Sequence, residues 1–146
     1  MNQSISKGRL WTARVMSGIV ILFMLFDSIT KLFKLTVSVE GTVEMGFAEN
    51  HVTIIGLLAF LSVILYAIPQ TSILGAILLT GFLGGVVASH VRIDNPLFSH
   101  TLFPVYLGIL TWAGIYLRDE RLQNILHIKR RRAFKDNENF NRTNIG

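Results

Sequence analysis

The sequence predicts an all-α fold, a transmembrane bundle of four antiparallel helices with both termini in the cytoplasm. Three observations predict it. Hydrophobic residues make up 51% of the 146 and charged residues only 16%, too apolar a balance for an ordinary small soluble domain. From Val52 to Ser89, and again from Asn95 to Leu117, there is no Asp, Glu, Lys or Arg. A helix crossing the hydrocarbon core needs about 20 mainly apolar residues, so the first run holds two crossings and the second holds one. Trp11 to Phe33 supplies a fourth, interrupted by Arg14, Asp27 and Lys31. Lys and Arg number three ahead of the apolar run that begins at Val15 and eight after Leu117, with none in the turn at Pro69, against two and one at the opposite end. The positive-inside rule then assigns both termini to the cytoplasm, and an even number of crossings agrees with that.

Residues 1–10 form a cytoplasmic tail in this reading, residues 11–117 the membrane domain, and residues 118–146 a basic cytoplasmic tail. The first crossing, about 11–33, has Lys7, Arg9 and Arg14 ahead of its apolar run Val15 to Phe26. That start also resembles a secretory signal, but no small-residue cleavage site follows, so an uncleaved helix is the better reading. Asp27 and Lys31 stand four apart and share a helix face. A lone carboxylate in the bilayer is costly, so Asp27 must find a partner, and Lys31 is the nearest. Leu35 to Asn50 has Glu40 and Glu44 four apart among Val39, Val43 and Phe47. A short surface helix capped by Thr36 or Ser38 and stopped at Gly46 fits, as does a solvated loop.

The second crossing, about 51–68, ends at Pro69-Gln70-Thr71-Ser72, which caps the third, about 72–90. So short a turn makes the two antiparallel neighbours. Along the third, Ala76, Thr80, Gly84 and Ala88 recur every four residues beside Gly81 and Gly85. Small residues at that spacing let backbones approach closely in lipid, which expects Thr80, Gly81, Gly84, Gly85 and Ala88 to pack this helix at the bundle centre. The fourth crossing, about 97–117, follows the cap pair Asn95-Pro96. Pro104 within it is expected to bend the helix and free the His100 carbonyl. Trp112 and Tyr116 read as interfacial anchors. Beyond it, Lys129, Arg130, Arg131 and Arg132 form a juxtamembrane cluster suited to anionic lipid headgroups.

With this topology Asp27, Lys31, Glu44, His90, Arg92 and His100 all fall at the non-cytoplasmic end, with Tyr106 just below. Ionisable groups gathered at one level of a bundle mark a candidate polar site, although the same charges could merely satisfy one another. The chain has no cysteine, which excludes disulfides, thiol relays, iron-sulfur clusters and thiolate metal sites. The histidine spacing matches no metal motif, so no metal is expected. The net charge of +5 comes from residues at the ends of apolar runs, so topology explains it and nucleic acid is not an expected partner.

Several motifs, in order and spacing, resemble the DoxX-like family of bacterial membrane proteins. They are Asp27-Ser28-Ile29-Thr30-Lys31, Val43-Glu44-Met45-Gly46, Tyr66-Ala67-Ile68-Pro69-Gln70-Thr71 and Gly75 to Gly81. His90-Val91-Arg92, Pro96 to His100 and Phe103 to Gly108 complete the set. The resemblance spans about Trp11 to Gln123. It implies a four-helix, multi-pass protein of the inner membrane. The wider DoxX family takes its name from a small subunit of an archaeal thiosulfate:quinone oxidoreductase, which implies a quinone as a candidate cofactor and a membrane redox complex as a candidate partner. It carries over no catalytic residue.

Three functions follow from these features. One is a binding module or accessory subunit holding a lipophilic small molecule such as a quinone. Gly84 and Gly85 would make room, Phe103 and Tyr106 would stack, and His90, Arg92 or His100 would bond the head; an elongated apolar pocket open to lipid is then expected. Another is a membrane enzyme with Asp27 or His100 as base and Arg92 or Lys31 stabilising an anion, which requires those groups to converge on a vacant space. The last is an oligomeric scaffold joined through the glycine face.

Overall fold

The computed structural model describes residues 6–123. Five α-helices lie wholly within the described residues: α1 (Lys7–Leu32), α2 (Thr36–Glu44), α3 (Val52–Ala67), α4 (Ser72–Arg92) and α5 (Phe103–Arg118). A 3-10 turn at Glu49–His51 leads into α3, and a π turn at Leu97–Thr101 leads into α5. With those turns, four helices are long and apolar enough to cross a membrane: Lys7–Leu32, Glu49–Ala67, Ser72–Arg92 and Leu97–Arg118. No strand occurs among the described residues.

The spanning helices form a ring in the order α1, α3, α4, α5, with α5 closing back onto α1. Cα atoms of the diagonal pairs, α1 with α4 and α3 with α5, stay more than 8 Å apart. Each helix turns one narrow stripe inward, for example Ala13, Ser17, Val20, Met24 and Ser28 on α1 and Pro104, Leu107, Thr111, Gly114 and Ile115 on α5. The outward faces carry large apolar side chains such as Trp11, Leu22, Phe26, Leu57, Leu61 and Ile109. A helix that is apolar outside and small or hydroxylated inside suits lipid, where close packing rather than water exclusion holds helices together. The inward hydroxyls remain satisfied by their own helices: Ser28 donates to the Leu25 carbonyl, Ser62 to Leu58, Ser89 to Gly85 and Thr111 to Leu107.

Three glycines of the spanning helices make the close helix–helix approaches, and they differ from the expected row. A Cβ on Gly75 would lie 2.1 Å from the backbone nitrogen of Tyr66, one on Gly56 2.7 Å from Cβ of Lys31, and one on Gly114 2.5 Å from Oγ of Ser17. A Cβ on Gly81, Gly84 or Gly85 would meet nothing within 4 Å. All five of Thr80, Gly81, Gly84, Gly85 and Ala88 are exposed, Thr80 and Gly84 on the side of α4 toward α5, and α4 is a wall of the ring and not its centre. A glycine row marks where a backbone can be approached without saying which neighbour uses it. Here the α3–α4 turn brings Gly75 against Tyr66 and leaves the later glycines with no backbone pressed against them.

Helix ends follow local chemistry. Pro69 has no N–H for the Leu65 carbonyl, and the Thr71 hydroxyl donates to that carbonyl at 2.8 Å instead. Thr71 thus secures the end of α3 and does not cap α4 with its side chain. Helices α1, α2 and α4 each stop with a residue at positive φ: Lys34 at 50°, Gly46 at 87° and Asp94 at 53°. In each case the following N–H reaches back five residues, Leu35 to Thr30, Phe47 to Thr42 and Asn95 to His90. Helix α2 forms where the surface helix was expected, but Leu35 is its N-cap and no side chain caps it. Pro104 falls in the first turn of α5, where its missing N–H costs nothing, because the π turn separates it from His100. The expected mid-helix bend is replaced by this break.

Gly75→Ala is expected to lower stability in mild detergent by about 1–3 kcal/mol, since the new methyl meets fixed backbone. Gly81→Ala is expected to leave it unchanged or slightly raised, because the position is open and alanine favours the helix. Thermal unfolding of both variants checks the contrast.

Candidate functional site

The polar residues of the non-cytoplasmic reading sit at one end of the ring but separate into three local sets. Asp27 and Lys31 form a salt bridge along α1, with 30% and 14% of their side chains exposed. The Gly56 contact holds the Lys31 backbone against α3, so this ammonium stays close to its carboxylate. Arg92, at the end of α4, donates to the Met45 carbonyl and covers Gly46 on the turn after α2. It ties α4 to that turn and does not reach Asp27. Glu44 lies exposed at the end of α2.

The third set is the link from α4 to α5. His90 is buried, 8% exposed, and its Nδ1 lies 2.8 Å from the side-chain amide nitrogen of Asn95. An amide nitrogen can only donate, so Nδ1 accepts and the neutral ring carries its proton on Nε2. The Thr101 hydroxyl donates to the Asn95 carbonyl at 3.3 Å, which fixes that residue from the other side. His100 is exposed, has Ser99 Oγ 2.7 Å from its Nδ1, and meets His90 edge-on with ring centroids 6.0 Å apart. The π turn supplies this pairing, since it sets His100 back over the end of α4 before α5 begins.

Below this link α4 and α5 diverge to leave a groove of about 640 Å³. Its walls include Leu83, Gly84 and Val87 on α4 and Pro104, Gly108 and Trp112 on α5, and it opens sideways toward the surrounding lipid. The indole of Trp112 donates to Thr80 Oγ1 at 2.9 Å, and that hydroxyl donates to the Ala76 carbonyl at 2.7 Å, so the polar atoms at its floor are already paired. Trp112 and Tyr116 line this groove together. Gly84 makes room there, but Gly85 is not among the lining residues. Phe103 packs edge-on against Phe23 at 5.0 Å, and Tyr106 points outward, exposed, away from the groove.

A further polar node lies at the opposite end, where sequence reasoning placed none. The Tyr66 side chain is fully buried, and its phenol donates to the Thr111 carbonyl at 3.0 Å with Ser17 Oγ at 3.1 Å. Arg118 donates to the Tyr66 carbonyl at 3.0 Å and lies 5.2 Å above its ring. A tyrosine in an apolar run reads as one more large side chain, and its partners are remote in sequence. The small Gly75 and Gly114 at matching depth were the available signal. The headgroup cluster Lys129, Arg130, Arg131 and Arg132 lies outside the described residues.

Lys31→Met is expected to destabilise the protein by about 2 kcal/mol by leaving the Asp27 carboxylate unpaired near the membrane, less than at a helix centre. Adding Asp27→Asn is expected to restore most of that loss, the coupling of a local pair. Tyr66→Phe is expected to cost about 1 kcal/mol, the value of its hydrogen bond, and unfolding in detergent measures all three variants.

Residues 15–114 match the family model of the DoxX-like family, and this stretch contains the Asp27–Lys31 pair, the Tyr66 node apart from Arg118, the histidine link and most of the groove. No curated protein and no solved structure matches the chain.

Proposed function

This chain belongs to the DoxX-like family, and we propose that it is a small-molecule-binding or accessory membrane subunit that holds a lipophilic molecule in the α4–α5 groove. The single observation that carries this reading is the groove itself: a space of about 640 Å³, walled almost wholly by apolar side chains and open to lipid. Pro104 to Tyr116 on α5 spans about 18 Å at the helical rise, long enough for an extended hydrocarbon or isoprenoid chain. Gly84 and Gly108 keep both walls low, and the paired Trp112 and Thr80 present no unsatisfied polar group to such a chain.

The polar site of this reading is the non-cytoplasmic end of the groove, where His90 and His100 meet. His90 follows Val87 by three residues on the same face of α4, and Thr101 closes the π turn that leads into α5 just before Pro104. A quinone would suit a long chain with an oxygenated head. It would link the protein to a membrane redox complex in the inner membrane, with both termini cytoplasmic as the Lys and Arg distribution favours. The catalytic alternative has less support, because Asp27 is occupied by Lys31 and Arg92 by the Met45 carbonyl, and neither lines the groove.

The test is mass spectrometry of small molecules that copurify with the protein and with Gly84→Phe. A Cβ at position 84 meets nothing, so the added ring fills the groove without displacing backbone. A lipophile present on the native chain and lost from the variant is the expected result, and a quinone among the lost molecules would support the redox link. Bulk phospholipid alone on both would overturn the reading.

A further inference from the structure

We infer that the α4–α5 groove selects lipophiles with a neutral, oxygen-bearing head and discriminates against anionic phospholipids, through a hydrogen bond donated by Nε2 of His90. The inference rests on the groove reading and specifies its ligand class. Three observations lead to it, and none involves the identity of a ligand.

The first is the tautomer. Asn95 donates to Nδ1 of His90, so a neutral imidazole must carry its proton on Nε2. That nitrogen makes no hydrogen bond among the described residues, and it is not a sealed, unsatisfied atom either. It is therefore a donor that an incoming group can reach. The matching group is an acceptor oxygen, such as a carbonyl, ether or hydroxyl.

The second is the disposition of positive charge. Arg92 is the single Lys or Arg between His90 and Pro104, and its guanidinium donates to the Met45 carbonyl on the turn after α2. Lys31 is neutralised by Asp27, and Lys34, the remaining cation of this end, is exposed just past the end of α1. A phosphate head placed over His90 and His100 would meet imidazoles, the Ser99 and Thr101 hydroxyls and the Asn95 amide without a dedicated cation. Taking an anion out of water without such a partner is costly, whereas a neutral oxygen needs only one donor.

The third is the geometry of the mouth. His90 comes about one helical turn after Val87, the α4 residue that lines the groove at this end. His100 leans edge-on against it at 6.0 Å. A head anchored at Nε2 leaves its chain pointing down the groove toward Trp112.

Trp112 provides the readout, because the chain has two tryptophans and the other, Trp11, is exposed on α1. In a Trp11→Phe background in detergent, a brominated long-chain alcohol and a brominated phosphatidylglycerol are titrated, and the signal counted is the Trp112 quenching that Gly84→Phe abolishes. Quenching by the alcohol at a concentration at least about tenfold below that of the phospholipid is expected. His90→Phe should weaken the alcohol about tenfold, the order of one hydrogen bond, while His90→Gln, which keeps an N–H donor, should retain most of it. Equal quenching by both probes would overturn the selectivity while leaving the groove reading in place. Unchanged alcohol binding in a correctly folded His90→Phe would overturn the role of His90. Absence of any quenching sensitive to Gly84→Phe would overturn the groove reading and this inference together.

Discussion

Everything in this bundle depends on how closely α3 can approach its neighbours around Tyr66. In lipid the apolar side chains gain nothing by leaving their surroundings, so stability must come from packing and from internal hydrogen bonds. Tyr66 meets both needs. Its backbone is pressed against Gly75 of α4, and its phenol crosses the ring to the Thr111 carbonyl of α5 and Ser17 of α1. Gly114 leaves the room this phenol occupies, and Arg118 closes over the ring from the end of α5. Four helices are thereby fixed at one depth through the backbone and side chain of a single residue.

Tight fixation at that end has a consequence at the other. With α3 and α4 clamped at the Pro69 turn and α5 drawn toward Tyr66, α4 and α5 are joined elsewhere by the Trp112–Thr80 bond and the π turn. Between those points their facing residues include Gly84 and Gly108, too small to meet, and a groove remains. In a soluble protein such a space would fill with water. Among apolar walls in a membrane it fills with a chain, from bulk lipid or from a dedicated ligand.

The charged residues at the groove end do less shared chemistry than their common level suggests. Asp27 with Lys31 and Arg92 with Met45 each close a local contact that neutralises a charge or holds a turn. The histidine link differs, because Asn95 and Thr101 orient His90 without occupying its second nitrogen. A buried ring oriented through one nitrogen, with no bond to the other among the described residues, distinguishes this link from the two closed contacts and supports the proposed binding role.

The four spanning helices were legible in the sequence alone, since charge-free runs of membrane length admit few other structures and Pro69 and Asn95-Pro96 mark where two of them break. So was the Asp27–Lys31 pair, because four residues on one helix suffice to form it. What tertiary structure decided was which face of each helix turns inward. The row of Gly81, Gly84 and Gly85 has the spacing of a packing face, yet Gly75, Gly56 and Gly114 do the packing. In α4, flanked by apolar residues on every side, nothing local distinguishes the two faces. The Tyr66 node and the groove both join residues more than 20 apart in sequence, and the π turn that pairs His90 with His100 arises from α5 seating against α1 and α4. Local periodicity specifies that a helix forms and how long it is; the rotation of that helix about its axis is set only by the partners it meets.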